Sequence, residues 1–330
     1  MSAQDVPAPT ARQHAHKAWS VLQIAATLLL LAWAYARFDR EPLRHNNLAL
    51  GWLVLALACT APAYAAAALR WSFTAQRLGV PVSFRRALPE VYLASFLNSL
   101  LPTGFAGDVL RAVRQSRSVA VDRSLYARAW LSVALERFAG QLVLWLLLLL
   151  SLAHGPLSAY AGVSRWWPLL VGLLVLPWLV VWRRRAFTAL DVLLARGPAR
   201  FDASLRVDLW PALRRALFAD GALGVQLATS CTVLACCTLG FACCAKGLSV
   251  PLSFSDLLHI VPPVLALSAL PLSIGGFGLR EVASAALYAG SGLDAGTGVL
   301  VASTYGLLNL LGSAPGALFV WLRRRAHGES

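Results

Sequence analysis

Leu101-Pro102-Thr103-Gly104-Phe105-Ala106-Gly107-Asp108-Val109-Leu110-Arg111 and Leu270-Pro271-Leu272-Ser273-Ile274-Gly275-Gly276-Phe277-Gly278-Leu279-Arg280-Glu281 are two copies of one pattern, Leu-Pro-x4-Gly-x3-Arg. Each copy follows an apolar run too short to cross a bilayer, ending in small or polar residues, Asn98-Ser99 and Ser268-Ala269. Proline ends the preceding helix because its ring clashes with the turn before it and it has no N–H to donate. The glycines then open backbone angles closed to other residues. The expected product is a helix, a tight polar break and a half-helix with an arginine beside the break. At membrane depth such backbone survives only where protein or a water-filled cavity surrounds it. Paired interrupted segments in the two halves of one chain point to a transporter's binding site.

The rest of the sequence has the composition of an all-α integral membrane protein. Of 330 residues, 58% are hydrophobic and 13% charged, with mean hydropathy +0.64; a soluble domain carries about 25% charged residues. The net charge of +14 would suggest nucleic acid in a soluble protein. Here the arginines sit in short loops between apolar runs, with no basic stripe interleaved with aromatics, so membrane orientation accounts for them and nucleic acid is excluded as a partner. The six cysteines, Cys59, Cys231, Cys236, Cys237, Cys243 and Cys244, lie inside apolar runs without C-x-x-C or metal spacing, and read as small hydrophobes.

Six runs are long enough to span: 18–36, 48–69, 126–152, 166–182, 221–245 and 299–322. The first also resembles a signal peptide, because Ala34-Tyr35-Ala36 is a small-x-small site. Nearly all Lys and Arg fall on one side if the short segments around the two breaks are re-entrant hairpins; Arg37, Arg40, Arg44, Arg165, Lys246 and Arg280 remain opposite, and Arg137 lies within a span. The reading is therefore six full transmembrane helices plus two re-entrant helical hairpins in an inverted repeat. Repeat 1 covers about 18–153 and repeat 2 about 164–322, with polar tails at 1–17 and 323–330 on the cytoplasmic side. The competing reading makes both short segments ordinary kinked crossings. A basic connection, 183–220, is expected to hold an amphipathic helix on the membrane surface, and 292–298 a loop.

Five ionisable residues fall at membrane depth or at the breaks: Asp108, Glu136, Arg137, Arg280 and Glu281. Charges there are costly and call for a named partner. Arg111, three residues after Asp108, shares its helix face. Glu136 and Arg137, about a third of the way into their span, point apart, so Arg137 with Asp108, and Glu136 with Arg111 or Arg280, are the expected pairs. Mutual neutralisation and helix packing is the plain reading. The functional one is a site for an anionic group, such as a lipid phosphate, built from arginines and free N–H groups at half-helix starts, with glycines leaving the backbone open. Weaker signals are His259, the Tyr305/Asn309 pair expected to bond between helices, and the close-packing pair Gly312/Gly316. No nucleotide, zinc-protease or serine-hydrolase motif occurs.

Three stretches taken together, Asn98…Pro102…Gly107-Asp108…Arg111, Glu136-Arg137…Gly140, and Pro271…Gly275-Gly276-Phe277-Gly278…Arg280-Glu281, resemble the lysylphosphatidylglycerol synthase transmembrane-region family. The resemblance runs from the first span to the last. It implies a flippase-like protein without the aminoacyl-transferase domain of bifunctional members, hence no enzyme activity and no cofactor. The expected substrate is an anionic or aminoacylated phospholipid, a glycolipid or a polyprenyl-linked lipid. The expected location is a bacterial inner membrane, multi-pass, with both termini cytoplasmic. The candidate substrate-binding residues, from the two breaks and the buried charges, are Asn98, Pro102, Gly104, Gly107, Asp108, Arg111, Glu136, Arg137, Ser273, Gly275, Gly276, Gly278, Arg280 and Glu281. Many relatives carry Gly-Gly-Asp where this chain has Ala106-Gly107-Asp108, leaving Gly104 to supply the turn. Two further readings are a non-transporting partner of a glycosyltransferase or lipid-modifying enzyme, and an enzyme acting on a polyprenyl phosphate through Asp108 or Glu136. Assembly as a homo-oligomer is compatible with all of them.

Overall fold

The computed structural model describes residues 49–101, 104–119, 123–154, 209–270 and 272–319, together with 24, 25, 27–29 and 32. The expected span at 166–182, most of the first span, most of the 183–220 connection, both tails, Pro102 and Pro271 lie outside the described residues. Among the described residues all regular structure is helical, and four helices are long and apolar enough to cross a membrane: Leu50–Arg77, Leu125–Ser151, Ala222–Gly247 and Ala295–Phe319.

The first of these consists of α1 (Leu50–Ala58) and α2 (Thr60–Arg77), separated at Cys59. Pro62 lacks the N–H that would bond the Ala58 carbonyl, which localises the break. The helix runs on past Leu69, the sequence-based end of this span, so Arg70 belongs to the span and not to a basic loop. Next come α3 (Phe84–Leu100), α4 (Ala106–Ser118) and the long α5 (Arg123–His154). Beyond them lie α6 (Leu209–Leu217), α7 (Ala222–Gly247), α8 (Phe254–Ser268), a single 3-10 turn at Ile274–Gly276, α9 (Leu279–Gly290) and α10 (Ala295–Ser313). The expected loop 292–298 is shorter than its glycines suggest. Asp294 accepts a hydrogen bond from the Thr297 N–H at 2.6 Å and starts α10 at Ala295.

The connection from the second span into the first hairpin, Leu78-Gly79-Val80-Pro81-Val82-Ser83-Phe84, recurs as Leu248-Ser249-Val250-Pro251-Leu252-Ser253-Phe254. The backbone repeats with it. Gly79 (φ 78°) and Ser249 (φ 57°) are both left-handed. The N–H of Val80 bonds Ala75 O and that of Val250 bonds Ala245 O, the Schellman closure of a helix end in both copies. These equivalent helices pack antiparallel: Arg70 reaches Ser230, Thr74 reaches Gln226, and Gly247 abuts Leu53.

α3 and α4 form one antiparallel hairpin, with Asn98 beside Gly107 and Asp108 and with Glu90 paired to Arg114 at 3.2 Å. α8 and α9 form the other, and Gly276 packs on Ser268 near its corner. α3 packs on α10 of the second half, while α8 packs on α5 of the first. Each half keeps its own apolar core, one around Trp71, Val80, Val91 and Val133, the other around Phe241, Ile260, Val264 and Tyr288. The α6 helix buries Ala212, Ala216 and Leu217 in the first of these cores and leaves Arg214, Arg215 and Phe218 exposed. Its apolar face therefore meets protein; most of the 183–220 connection, where a helix on the membrane surface is expected, lies outside the described residues.

Small residues set how closely the helices approach, as is usual in membranes where van der Waals contact drives association. Gly312 faces the Thr60 side chain and Gly316 the backbone of Tyr92 and Leu93. The Tyr305/Asn309 pair behaves differently from expectation: Asn309 Nδ2 bonds the Tyr305 carbonyl within α10 at 2.8 Å, and the bond between helices runs from Tyr64 Oη to the Asn309 carbonyl.

Two outcomes follow from this packing. A Cβ at Gly107 would collide with the Ala94 carbonyl, so Gly107→Ala should lower stability in detergent by about 1–3 kcal/mol. Gly224→Ala, in open space on α7, should be neutral or slightly stabilising in the same thermal melt. The second outcome concerns acid. The Thr297 N–H holds the Asp294 carboxyl below its ordinary pKa, so this cap's contribution is complete above that value and is lost as pH falls through the folded pKa. Asp294→Asn should remove this acid dependence, seen as amide protection factors in the first turn of α10 that no longer fall as the pH is lowered, after correction for the intrinsic pH dependence of exchange.

Candidate functional site

Asn98 stands in the last turn of α3 and reaches across to the start of α4. Its Oδ1 accepts from the Gly107 N–H at 2.7 Å, and its Nδ2 donates to Asp108 Oδ2 at 2.8 Å. The first N–H groups of a helix lack partners within it, so Asn98 caps α4 from the neighbouring helix. Asp108, in the first turn of α4, lies where the helix dipole favours negative charge. Arg111 follows one turn later and bonds Asp108 Oδ1 at 2.8 Å.

Both residues meet α5 and α2 in a buried cluster. Glu136 Oε1 accepts from Arg70 Nε at 3.1 Å and from Arg70 Nη2 at 2.6 Å, while its Oε2 accepts from Arg111 Nη2 at 2.9 Å. Arg70 also donates to Ser230 Oγ on α7 at 2.9 Å. Gly140, one turn beyond Glu136, makes room for the Arg70 guanidinium: a Cβ there would lie 2.9 Å from Nη2. Arg111 stacks over the Trp71 ring at 4.5 Å, and Trp71 donates to Ser132 Oγ. Arg137 Nη2 lies 2.9 Å from Asp108 Oδ1 and 2.8 Å from Oδ2. Three guanidiniums thus face two carboxylates, which leaves one net positive charge.

Two of the expected pairs form, Arg137 with Asp108 and Glu136 with Arg111; Glu136 with Arg280 does not. Arg280 is held by its own neighbour, donating from Nε and Nη2 to Glu281 Oε1 at 3.2 and 2.9 Å, while Glu281 Oε2 accepts from the Gly278 N–H at 2.5 Å. Phe277 lies against the Arg280 guanidinium at 4.6 Å and Gly306 gives it space. Both residues of this pair are buried. The second break is therefore neutral and closed on itself, unlike the first.

The two breaks touch. A Cβ on Gly275 (φ 57°) would lie 2.5 Å from the Ser99 carbonyl oxygen. Gly104 (φ 67°) supplies the left-handed turn of the first break, and Ala106 sits inside α4 without strain. Gly278 (φ 85°) opens α9. Ser273 is buried beside the second break, and its Oγ has no hydrogen-bond partner among the described residues. At three glycines of the breaks the space is filled by protein and not left open to a ligand. Gly107 fits against Ala94, Gly275 against Ser99 and Gly276 against Ser268, while the N–H groups of Gly107 and Gly278 are already taken by Asn98 and Glu281. Side-chain guanidinium therefore offers the cationic surface. Among the described residues no cluster of His, Cys, Asp and Glu could hold a metal ion.

This arrangement spans residues that one family description covers almost completely: the lysylphosphatidylglycerol synthase TM region matches residues 20–316. The chain belongs to that family. Membership makes it a multi-pass membrane protein of lipid synthesis or transport. No curated protein and no solved structure gives a significant match.

Within the family's region, Arg70 and Ser230 escaped sequence reasoning. A charged residue at the end of an apolar run reads as a loop, yet Trp71-Ser72-Phe73-Thr74-Ala75 continues the helix, and the first stop signal is Gly79. Because Glu136 compensates two buried arginines, Glu136→Gln should cost roughly 3–5 kcal/mol, read as a lower melting temperature in detergent. An unchanged melt would show that the cluster does not hold the helices together.

Proposed function

We propose that the chain translocates a lipid bearing an anionic group across the cytoplasmic membrane, passing the head through the polar region where the two breaks meet. The observation that carries this reading is the cluster Arg70–Glu136–Arg111–Asp108–Arg137, with one positive charge in excess, at membrane depth beside the Ser99–Gly275 contact. Ionisable groups inside a membrane are costly and tend to mark a substrate path. Guanidinium is the side chain best suited to phosphate, because its planar fork offers parallel donors.

In this reading the protein has six full spans and two re-entrant hairpins related by inversion. The antiparallel packing of the equivalent helices α2 and α7, the duplicated Leu-x-Val-Pro-x-Ser-Phe connection and the exchange of hairpin contacts between halves all support it. The substrate is an anionic or aminoacylated phospholipid, a glycolipid or a polyprenyl-linked lipid, moved without catalysis in an inner membrane with both termini cytoplasmic. The exposed side chains of Arg214, Arg215 and Phe218 on and beside α6 also favour a second reading, a surface where a lipid-modifying enzyme or glycosyltransferase docks.

Purified protein in vesicles should move tail-labelled fluorescent phosphatidylglycerol between leaflets, followed by dithionite quenching. Arg137→Gln should bring the rate to the protein-free background while leaving the melting temperature near wild type. A wild-type protein that never exceeds background, or an Arg137→Gln protein as fast as wild type, removes this site from the transport path.

A further inference from the structure

The two carboxylates of the cluster are held in different ways. Glu136 is gripped side-on by Arg70 through both Nε and Nη2, and the side chains are 7% and 3% exposed. Asp108 engages Arg137 through Nη2 alone; Arg137 Nε is buried without a hydrogen-bond partner among the described residues, and the side chain is 38% exposed. Arg111, 2% exposed, likewise has an unpartnered Nε. Half of the Arg137 fork is therefore unused, on the one arginine of the cluster whose side chain is partly exposed. Asp108 is also the carboxylate that can best spare its arginine. Without Arg137 it would still accept from Asn98 Nδ2 and Arg111 Nη2, both at 2.8 Å.

We infer that Asp108 is a built-in stand-in for the substrate's anionic group, and that Arg137 exchanges Asp108 for that group when lipid enters. The inference rests on the translocator reading of this site. Once Arg137 swings away from Asp108 and its Nε is uncovered, a singly charged phosphodiester accepting from Nη2 and Nε would fill the unused half of the fork. It would also replace one negative partner by another, so the charge beside Arg137 stays balanced throughout. Asp108 remains on Arg111 and Asn98, ready to recapture Arg137 when the lipid leaves. The internal carboxylate keeps the arginine from standing uncompensated in hydrocarbon between cycles. It also weakens lipid binding, because only the fraction of molecules with Arg137 released is competent to bind.

The test measures binding of short-chain dihexanoyl phosphatidylglycerol to the full chain in detergent by calorimetry, with dihexanoylglycerol as the phosphate-free control. If Arg137 is released in about a tenth of wild-type molecules, Asp108→Asn should bind the phospholipid about tenfold tighter. It should also transport lipid more slowly than wild type, because release then lacks its competitor. A purely structural Asp108 would lose binding and transport together. Arg137→Gln should not bind. Asp108→Asn binding no tighter than wild type, with binding lost in Arg137→Gln, overturns the exchange and leaves the anion site standing. Equal binding by wild type and Arg137→Gln, or no binding by any variant, overturns both readings. If Asp108→Asn does not elute as folded protein, Arg137→Lys decides. Lysine keeps a charge near Asp108 but cannot present paired donors, so affinity should fall roughly fivefold; unchanged affinity overturns the exchange.

Discussion

One carboxylate between two guanidiniums at membrane depth governs this architecture. Glu136 on α5 accepts from Arg70 on α2 and Arg111 on α4, and Arg70 continues to Ser230 on α7. Four helices from both halves of the chain thus share one hydrogen-bonded network. An ion without its partner is expensive inside a membrane, so each helix is confined to the position that keeps the network paired. The first hairpin is seated by electrostatics as much as by the contact of Gly107 with Ala94.

The two Leu-Pro-x4-Gly-x3-Arg copies share a backbone plan but differ in charge. In the first, the arginine leaves its own helix to meet Glu136, and Asp108 draws in Arg137, so the break becomes part of a wider charged network. In the second, Glu281 sits immediately beside Arg280 and neutralises it on the spot. The presence of a carboxylate at the next position is what separates them. The second corner then acts as a closed, uncharged wall against which the first corner rests through Ser99 and Gly275. The two copies of the pattern thus differ in character, one ionic and one neutral.

The pairing of Arg137 with Asp108 was legible because both are ionisable residues in apolar surroundings and few partners were within reach. Arg70 was not legible. Its charge made it look like the end of a span, although the helix runs to Arg77 and Gly140 leaves space for its side chain. The duplicated connection at 78–84 and 248–254 was present in the sequence as a plain signal. Gly107, Gly275 and Gly276 read in the sequence as openings for a ligand, yet each fits against neighbouring backbone, because a missing Cβ looks the same in sequence whether substrate or a neighbouring helix fills the space.

Hydropathy, spacing and the repeated proline-glycine-arginine pattern determined the helical membrane character, the places where helices stop, and which charges would be forced to find partners. These follow from local rules: backbone needs hydrogen bonds, proline cannot donate one, and ions avoid hydrocarbon. Which arginine meets which carboxylate, which break carries net charge, and whether a glycine faces ligand or helix were decided only by tertiary structure. Those outcomes depend on distances between segments remote in sequence, and a one-turn shift in helix packing would exchange the partners without altering a residue.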